Sequence, residues 1–149
     1  MPGPDPSAHG GGPLWAAMHA MPRVAMSELR KADLPEEPGV YALYRDGRAV
    51  YVGLAERQTL QGRIWKNHRG RGVSMTGSAM RRNIAERLGI ASSADIKARR
   101  YQPTVKDAAK VVAWLDDCEI TWQRSAGPAE AAQLERDLKR EWMPPLTKR

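Results

Sequence analysis

The stretch GVYALYRDGRAVYVG, residues Gly39–Gly53, predicts a β-hairpin. Two short runs rich in β-branched and aromatic residues flank an Asp-Gly pair, which is a strong signal for a tight hairpin turn. Each predicted strand carries a tyrosine near its glycine end, Tyr41 in the first strand and Tyr51 in the second. The register of the hairpin therefore determines whether the two phenol rings can meet.

Two registers are compatible with this turn. A two-residue loop, Asp46–Gly47, would send the two tyrosines to opposite faces of the sheet. A three-residue loop with a bulge would place Tyr41 directly opposite Tyr51. We expect the three-residue loop, because it sorts the aliphatic residues onto the other face, as a half-buried sheet requires. That aliphatic set is Val40, Ala42, Val50 and Val52. A tyrosine pair of this kind is compatible with a functional site, and equally with a cross-strand contact that only stabilises the sheet.

The overall composition indicates one globular domain. The chain has 149 residues and 42% hydrophobic residues, enough for one core. No stretch approaches the roughly 20 apolar residues of a membrane span, and the N-terminus lacks the order of a signal peptide. A single cysteine, Cys118, excludes an internal disulfide and a multi-cysteine zinc site. We therefore expect a cytoplasmic protein without a membrane partner.

The positive charge is concentrated in one block. The net charge is +7, and residues 57–106 hold twelve Lys and Arg residues against two acids. Such a block suggests a surface for a polyanion, with nucleic acid as the expected partner. An anionic membrane surface and an ordinary solvated surface are the alternatives. The predicted DNA contacts are Lys66, Arg69, Arg71, Arg81, Arg82, Asn83, Arg99 and Arg100.

The pattern of the remaining chain predicts an α+β fold with a small three-stranded antiparallel sheet flanked by helices. Residues 1–25 are expected to form a disordered or weakly ordered leader, because the segment opens with a Pro/Gly-rich run. Residues 26–149 are expected to form one domain with a basic helical insert at 70–106. Helices are predicted at about 59–69, at 78–88 with Ser78 as its N-cap, after Thr104, which opens a capping-box pattern, and after Gly127. The third strand is predicted at 118–123.

The helix predicted at 78–88 is the best candidate for a DNA-reading element. Apolar residues recur at every fourth position, so Arg81 and Arg82 are expected to face solvent or ligand. Arginine suits guanine edges, and Asn83 would suit an adenine edge, in the major groove. The alternative, which we favour, is that these side chains contact only phosphates and carry no sequence information.

The two halves of the hairpin also resemble a known signature. Gly39–Tyr41, followed ten residues after its tyrosine by Tyr51–Gly53, is similar to the paired motif of the GIY-YIG nuclease family. The resemblance covers about residues 38–147. It implies a small α/β sandwich with a central three-stranded antiparallel sheet. It also implies hydrolysis of phosphodiester bonds in DNA with one divalent metal ion, Mg²⁺ or Mn²⁺.

The resemblance assigns roles to particular residues. Tyr41 corresponds to the general base, and Tyr51 would orient water or phosphate. Arg63, on the helix after the second strand, would hold the scissile phosphate with its planar guanidinium. Glu135, on a late helix, would be the metal ligand, since Mg²⁺ takes one or two carboxylates and keeps most of its waters.

The sequence departs from the family pattern at two places. Relatives often carry a histidine or tyrosine four residues after the arginine, where this chain has Asn67. His68 follows at the fifth position, about 140° around an ideal helix from Arg63. We expect it to reach the site as a base or proton relay if the helix ends or tightens there, and otherwise to contact DNA phosphate or solvent. Thr147 stands where relatives carry an asparagine, and a hydroxyl retains part of its hydrogen-bonding capacity.

The function implied is that of a DNA endonuclease of the restriction, mobile-element or phage type. One active site cuts one strand at a time, so double-strand cleavage would imply a homodimer or successive nicks. A catalytically inactive nucleic-acid-binding module and a structure-specific repair nuclease are the alternatives.

Overall fold

The computed structural model describes residues 11–68 and 72–148, without the side chain of Asn67. The described residues contain a four-stranded antiparallel sheet in the order β1-β4-β2-β3. Its strands are β1 (Val24–Ala25), β2 (Gly39–Arg45), β3 (Arg48–Ala55) and β4 (Glu119–Arg124). The prediction of three strands is therefore wrong by one. The extra strand, β1, has only two residues, too few for side-chain alternation to reveal it.

The helices in the described part of the chain follow most of the predicted boundaries. Ser78 and Thr104 cap their helices through side-chain oxygens, as the sequence predicts. None of these helices is both long and apolar enough to cross a membrane. They are α1 (Pro13–Ala20), a 3₁₀ turn (Lys31–Asp33), a π-helix (Gln61–His68), α2 (Ala79–Arg87), α3 (Ser93–Lys97), α4 (Val105–Asp116) and α5 (Pro128–Glu141).

Helices cover both faces of the sheet. On one face, Tyr41 and Leu43 of β2 belong to a cluster with residues of the π-helix, α2 and α4. On the other face, Val40 and Ala42 pack with residues of α1 and α5. Strand β2 is central and its first six residues are buried, which places any functional side chain on it deep in the molecule. The arrangement confirms the α+β class.

The N-terminal segment differs from its prediction. Residues 1–10 lie outside the described residues, but α1 is an ordered helix whose Trp15 is fully buried. The indole Nε1 of Trp15 donates a hydrogen bond to Leu138 O at 2.9 Å, and Glu141 accepts one from Gly12 N at 2.6 Å. The expectation of a weakly ordered leader therefore does not hold from residue 13 onward. Docking against α5 supplies burial that the local sequence pattern does not show.

The hairpin turn has the two-residue form. Arg45 pairs with Arg48, and both central residues have positive φ, 53° at Asp46 and 78° at Gly47. These angles match a type I′ turn, whose twist suits a hairpin. The expected three-residue loop is therefore wrong.

The tyrosines nevertheless share a face, because a β-bulge follows the turn. The register shifts between Leu43 and Tyr44, so Val50 is the extra residue and Leu43 lies opposite Tyr51. Tyr41 lies opposite Gly53 instead of Tyr51. One inserted residue restores the side-chain parity that the two-residue turn would have lost. Val50 accordingly packs with the cluster on the tyrosine face, contrary to its predicted place.

Candidate active site

Four of the predicted catalytic residues line one cavity of about 440 Å³. Tyr41 and Tyr51 come from the hairpin, Arg63 from the π-helix and Glu135 from α5. Thr147, on the segment after α5, lines the same cavity. The fold thus brings together side chains that are up to 106 positions apart in the chain.

The tyrosine pair forms the inner wall of this cavity. The ring centroids of Tyr41 and Tyr51 are 6.3 Å apart with an interplanar angle of 29°. Tyr51 keeps 6% of its surface exposed and Tyr41 none. Tyr41 lies over Gly53, where a Cβ atom would come within 2.5 Å of the phenol oxygen. The glycine is therefore required by the close approach of the ring.

His68 lies behind Tyr41 and is fully buried. Its Nε2 atom forms a short hydrogen bond with Tyr41 Oη. The helix reaches this arrangement by widening into a π-helix, and not by the ending or tightening that we had set as the condition for His68 to reach the site. A π-helix bonds residue i to residue i+5, so a side chain five positions after Arg63 returns to the same face. The one-residue departure from the family spacing is compensated by this change in helix type.

Ser78 holds the other side of the histidine ring, a role that sequence reasoning missed. Its Oγ lies 2.6 Å from His68 Nδ1 and also accepts a hydrogen bond from Arg81 N at 3.1 Å. When Nδ1 carries the proton and donates a hydrogen bond to Ser78 Oγ, Nε2 can accept a hydrogen bond from the phenol of Tyr41. The sequence signalled only the capping role, because no local pattern connects two residues across a loop.

Burial keeps these groups neutral near pH 7. Desolvation, followed by the Arg63 charge, holds the pKa of His68 well below its usual value. Desolvation also raises the pKa of Tyr41 well above 10, and the neighbouring Tyr51 adds to this shift. The pKa of Tyr51 rises to about 12 for the same main reason, burial. The site therefore contains two protonated phenols and a neutral imidazole.

Arg63 is held at the cavity by a hydrogen bond to the backbone. Its Nη1 donates to Gly77 O at 3.1 Å, and no described carboxylate forms an ion pair with it. A guanidinium has five N–H donors, so one backbone bond leaves donors for a phosphate. The position agrees with the expected phosphate-binding role.

The predicted DNA-reading side chains on α2 are buried. Arg81 donates to Ser74 O at 2.9 Å, Arg82 donates to Thr76 O, and Asn83 Nδ2 donates to Leu146 O at 2.8 Å. All three side chains are thus engaged with backbone carbonyls. The expectation that Arg81 and Arg82 face solvent is wrong, since carbonyl groups of the loop before α2 accept their hydrogen bonds. Arg82 and Asn83 nevertheless line the cavity.

The other predicted DNA contacts lie apart from the cavity or outside the described residues. Lys66, Arg99 and Arg100 are exposed, and Arg100 pairs with Asp95 at 2.8 Å. Arg69, Arg71 and the side chain of Asn67 fall outside what the structure describes. Three lysines that were not predicted do line the cavity, of which Lys139 pairs with Glu135 and Lys148 with Glu86: Lys97, Lys139 and Lys148.

Glu135 is the carboxylate that could hold a metal ion. It is half-buried, and its Oε1 lies 3.3 Å from Lys139 Nζ. The i, i+4 spacing of this pair could have drawn attention to Lys139. Among the described residues, no group of three or more His, Cys, Asp or Glu side chains is placed to hold a metal. One carboxylate nevertheless fits Mg²⁺, whose remaining ligands are commonly waters and phosphate oxygens.

Thr147 fixes the end of the chain to the active-site strand. Its buried Oγ1 accepts a hydrogen bond from Val52 N at 2.9 Å. One residue earlier, Leu146 N donates to Val50 O at 2.8 Å. The threonine therefore supports the cavity wall beside the second motif, and its hydroxyl proton stays available for a further bond.

Comparison with known proteins adds one finding. A family model described as the GIY-YIG catalytic domain matches residues 18–149, which is most of the chain. No curated protein and no solved structure matches it. The matched range contains both motif halves, the π-helix, the carboxylate helix and the terminal segment described above. The chain therefore belongs to the GIY-YIG catalytic domain family of nucleases.

Proposed function

We propose that this protein is a metal-dependent DNA endonuclease that hydrolyses phosphodiester bonds. The observation that supports this most directly is the hydrogen-bonded chain from Tyr41 through His68 to Ser78. Its Tyr41 end lies at the cavity that Arg63 and Glu135 also line. A proton acceptor, a phosphate-binding cation and a carboxylate are the parts that phosphodiester hydrolysis needs.

The first step is removal of a proton from the attacking water. This proton enters the tyrosine pair, in which Tyr51 is the more exposed ring. The raised pKa of Tyr41 means that its phenol is not ionised beforehand. Tyr41 therefore accepts a proton only as it gives its own to His68 Nε2, which the lowered pKa keeps unprotonated. Ser78 positions the imidazole by accepting a hydrogen bond from its Nδ1–H group.

Positive side chains would bind the scissile phosphate and stabilise the charge that develops on it. Arg63 and Lys97 line the cavity, and so does Lys148, which also forms an ion pair with Glu86 at 2.6 Å. Cations fixed in a partly water-excluded site are more effective than solvated ones, because they need no rearrangement during the reaction.

Glu135 would hold the divalent ion, which we propose to be Mg²⁺ or Mn²⁺. Bound there, such an ion would neutralise charge on the phosphate oxygens. Lys139 Nζ lies 3.3 Å from Glu135 Oε1 and compensates the charge of the carboxylate. A metal ion bound to Glu135 would replace part of this ion pair. The proposal extends to a restriction, mobile-element or phage setting in the cytoplasm.

Cleavage of supercoiled plasmid with Mg²⁺ tests the proposal. Wild-type protein is compared with Glu135→Gln, which keeps the shape but removes the charge, and with Glu130→Gln. Glu130 is an exposed carboxylate in the first turn of the same helix and does not line the cavity. We expect Glu135→Gln to lower the rate by at least about 100-fold, the cost typical of losing a key electrostatic group. The Glu130→Gln control should cleave like wild type.

Two results would contradict the proposal. Plasmid binding by wild type and by Glu135→Gln, without cleavage by either in Mg²⁺ or Mn²⁺, would identify a nucleic-acid-binding module instead. Equal cleavage rates for the two proteins would remove Glu135 from the mechanism.

A further inference from the structure

A second cavity, of about 770 Å³, is separated from the active-site cavity by the terminal segment, Pro145–Lys148. Its walls come from the hairpin turn, the end of α2, α4 and the residues that follow α5. We refer to it as the Trp–Arg groove, after five lining residues: Arg45, Arg48, Arg87, Trp114 and Trp142. None of these residues takes part in the catalytic arrangement described above.

The groove carries an excess of positive charge. Its lining includes three arginines and, among the described residues, one carboxylate, Asp46. Arg48 and Arg87 are exposed, and neither forms an ion pair with any described residue. Uncompensated guanidinium groups beside a concave surface favour a phosphate-bearing ligand.

Two half-exposed indoles supply the other feature of the groove. The guanidinium of Arg45 lies 4.4 Å from the Trp114 ring centroid, and its Nη1 donates to Trp114 O at 2.9 Å. Trp142 meets Trp15 edge to face at 5.4 Å, which leaves its orientation fixed. Aromatic rings interleaved with arginines are typical of surfaces that bind single strands, because each unpaired base can stack on a ring. Bases inside a duplex are already stacked and cannot do so.

The groove adjoins the active site along strand β3. Ala49 and Val50 line the groove, whereas Val52 and Gly53 line the catalytic cavity. Two residues of a strand span about 6.6 Å, so the two sites are close neighbours. The terminal segment, Pro145–Lys148, separates them and contributes residues to both.

We propose that the Trp–Arg groove binds a single-stranded stretch of nucleic acid next to the bond that is cleaved. This inference rests on the proposed nuclease function and narrows its substrate to nucleic acid with an unpaired segment beside the scissile phosphate. The charge selects a polyanion, and the indoles select one with exposed bases.

Binding is measured first, without cleavage. A short labelled oligothymidylate is titrated with the protein in EDTA at several salt concentrations. We expect tighter binding than for a duplex of equal length, with quenching of tryptophan fluorescence. The double variant R48A/R87A should weaken binding and lower the salt slope, log K against log salt, by about 1.4, the value for two lost single-strand phosphate contacts. The control R30A/R124A removes two exposed arginines from elsewhere and should bind like wild type.

A stacking variant and a substrate comparison complete the test. Trp114→Leu should weaken oligothymidylate binding about fivefold or more, as expected for one lost stacked base. Wild type should cleave a duplex with a single-stranded arm faster than a plain duplex, and R48A/R87A should lose that preference. The R30A/R124A control should keep it.

The outcomes separate failure of the groove from failure of the nuclease. An unchanged salt slope in R48A/R87A, or displacement of the oligonucleotide by polyglutamate as efficiently as by oligothymidylate, overturns the groove proposal even if plasmid is cleaved. Groove-dependent binding without cleavage of any substrate refutes the nuclease proposal, because the binding assay does not depend on catalysis. Should Trp114→Leu fail to fold, R48A/R87A decides alone, since both arginines are exposed.

Discussion

His68 should make the stability of this protein depend on pH in a window where few other groups titrate. The side chain is fully buried, hydrogen-bonded at both ring nitrogens and neutral in the folded state. Desolvation and the neighbouring positive charges hold its pKa well below the usual 6.5. In the unfolded chain the same imidazole regains an ordinary pKa of about 6.5. The two states therefore bind different numbers of protons as the pH falls.

The sign and size of the effect follow from linkage. Below about pH 6.5 the imidazole is protonated in the unfolded state but stays neutral in the folded state. The free energy of unfolding therefore decreases as the pH decreases. The contribution of His68 to stability is complete above about pH 6.5 and is lost progressively as the pH falls toward the folded-state pKa of this side chain. Between about pH 7.5 and pH 5.5 the loss attributable to one such histidine is about 1.4 kcal/mol.

Urea unfolding followed by tryptophan fluorescence can measure this term. The free energy of unfolding is compared at several pH values for wild type and His68→Gln, which keeps hydrogen-bonding capacity but does not titrate. We expect the variant to be less stable at pH 7.5, with a difference that shrinks by about 1.4 kcal/mol toward pH 5.5. Taking the difference cancels the contributions of the other histidines. Parallel curves for the two proteins would show that His68 is not a buried neutral base, and the proton-transfer scheme would fail with it.

Two further substitutions test the walls of the cavity. Gly53→Ala places a Cβ atom 2.5 Å from the phenol of Tyr41, so we expect a loss of about 1–3 kcal/mol in urea unfolding; Gly72→Ala, where nothing lies within 4 Å, should be near neutral. Thr147→Val leaves the buried amide of Val52 without its acceptor and should cost about 1–3 kcal/mol, whereas Thr147→Ser should restore most of it. Wild-type stability in either Gly53→Ala or Thr147→Val would contradict the corresponding contact.

The hairpin shows which part of a fold a sequence can specify. Strand identity was predictable, because alternation and turn residues are local signals. The register was not predictable, and the expected shared face of Tyr41 and Tyr51 holds only because two features that each reverse the side-chain parity cancel one another. The two-residue turn separates the tyrosines, and the bulge at Val50 brings them back to one face. Long-range packing alone decides whether the hairpin has the two-residue turn by itself or the turn together with the bulge.

The helices show the same limit in a different form. Periodicity located the helix around Arg63, yet it carried no signal for π-type hydrogen bonding, which is what brings His68 to Tyr41. On α2, the helical pattern placed Arg81 and Arg82 away from the apolar stripe, which implied exposure. They are buried because carbonyl groups of the preceding loop accept their hydrogen bonds. A loop that is irregular in sequence cannot be anticipated as a hydrogen-bonding partner.

The charges around His68 connect substrate binding with base strength. Arg63, Arg81 and Arg82 all lower its pKa, and among the described residues no carboxylate forms an ion pair with these arginines. A phosphate bound at Arg63 would offset part of that positive field, and an added negative charge favours the protonated imidazole. We therefore expect the pKa of His68 to rise when nucleic acid occupies the cavity. In the proposed mechanism the histidine would then accept the proton from Tyr41 most readily when a phosphodiester is present to be attacked. The same arginines keep it unprotonated, and so ready to accept, while the site is empty.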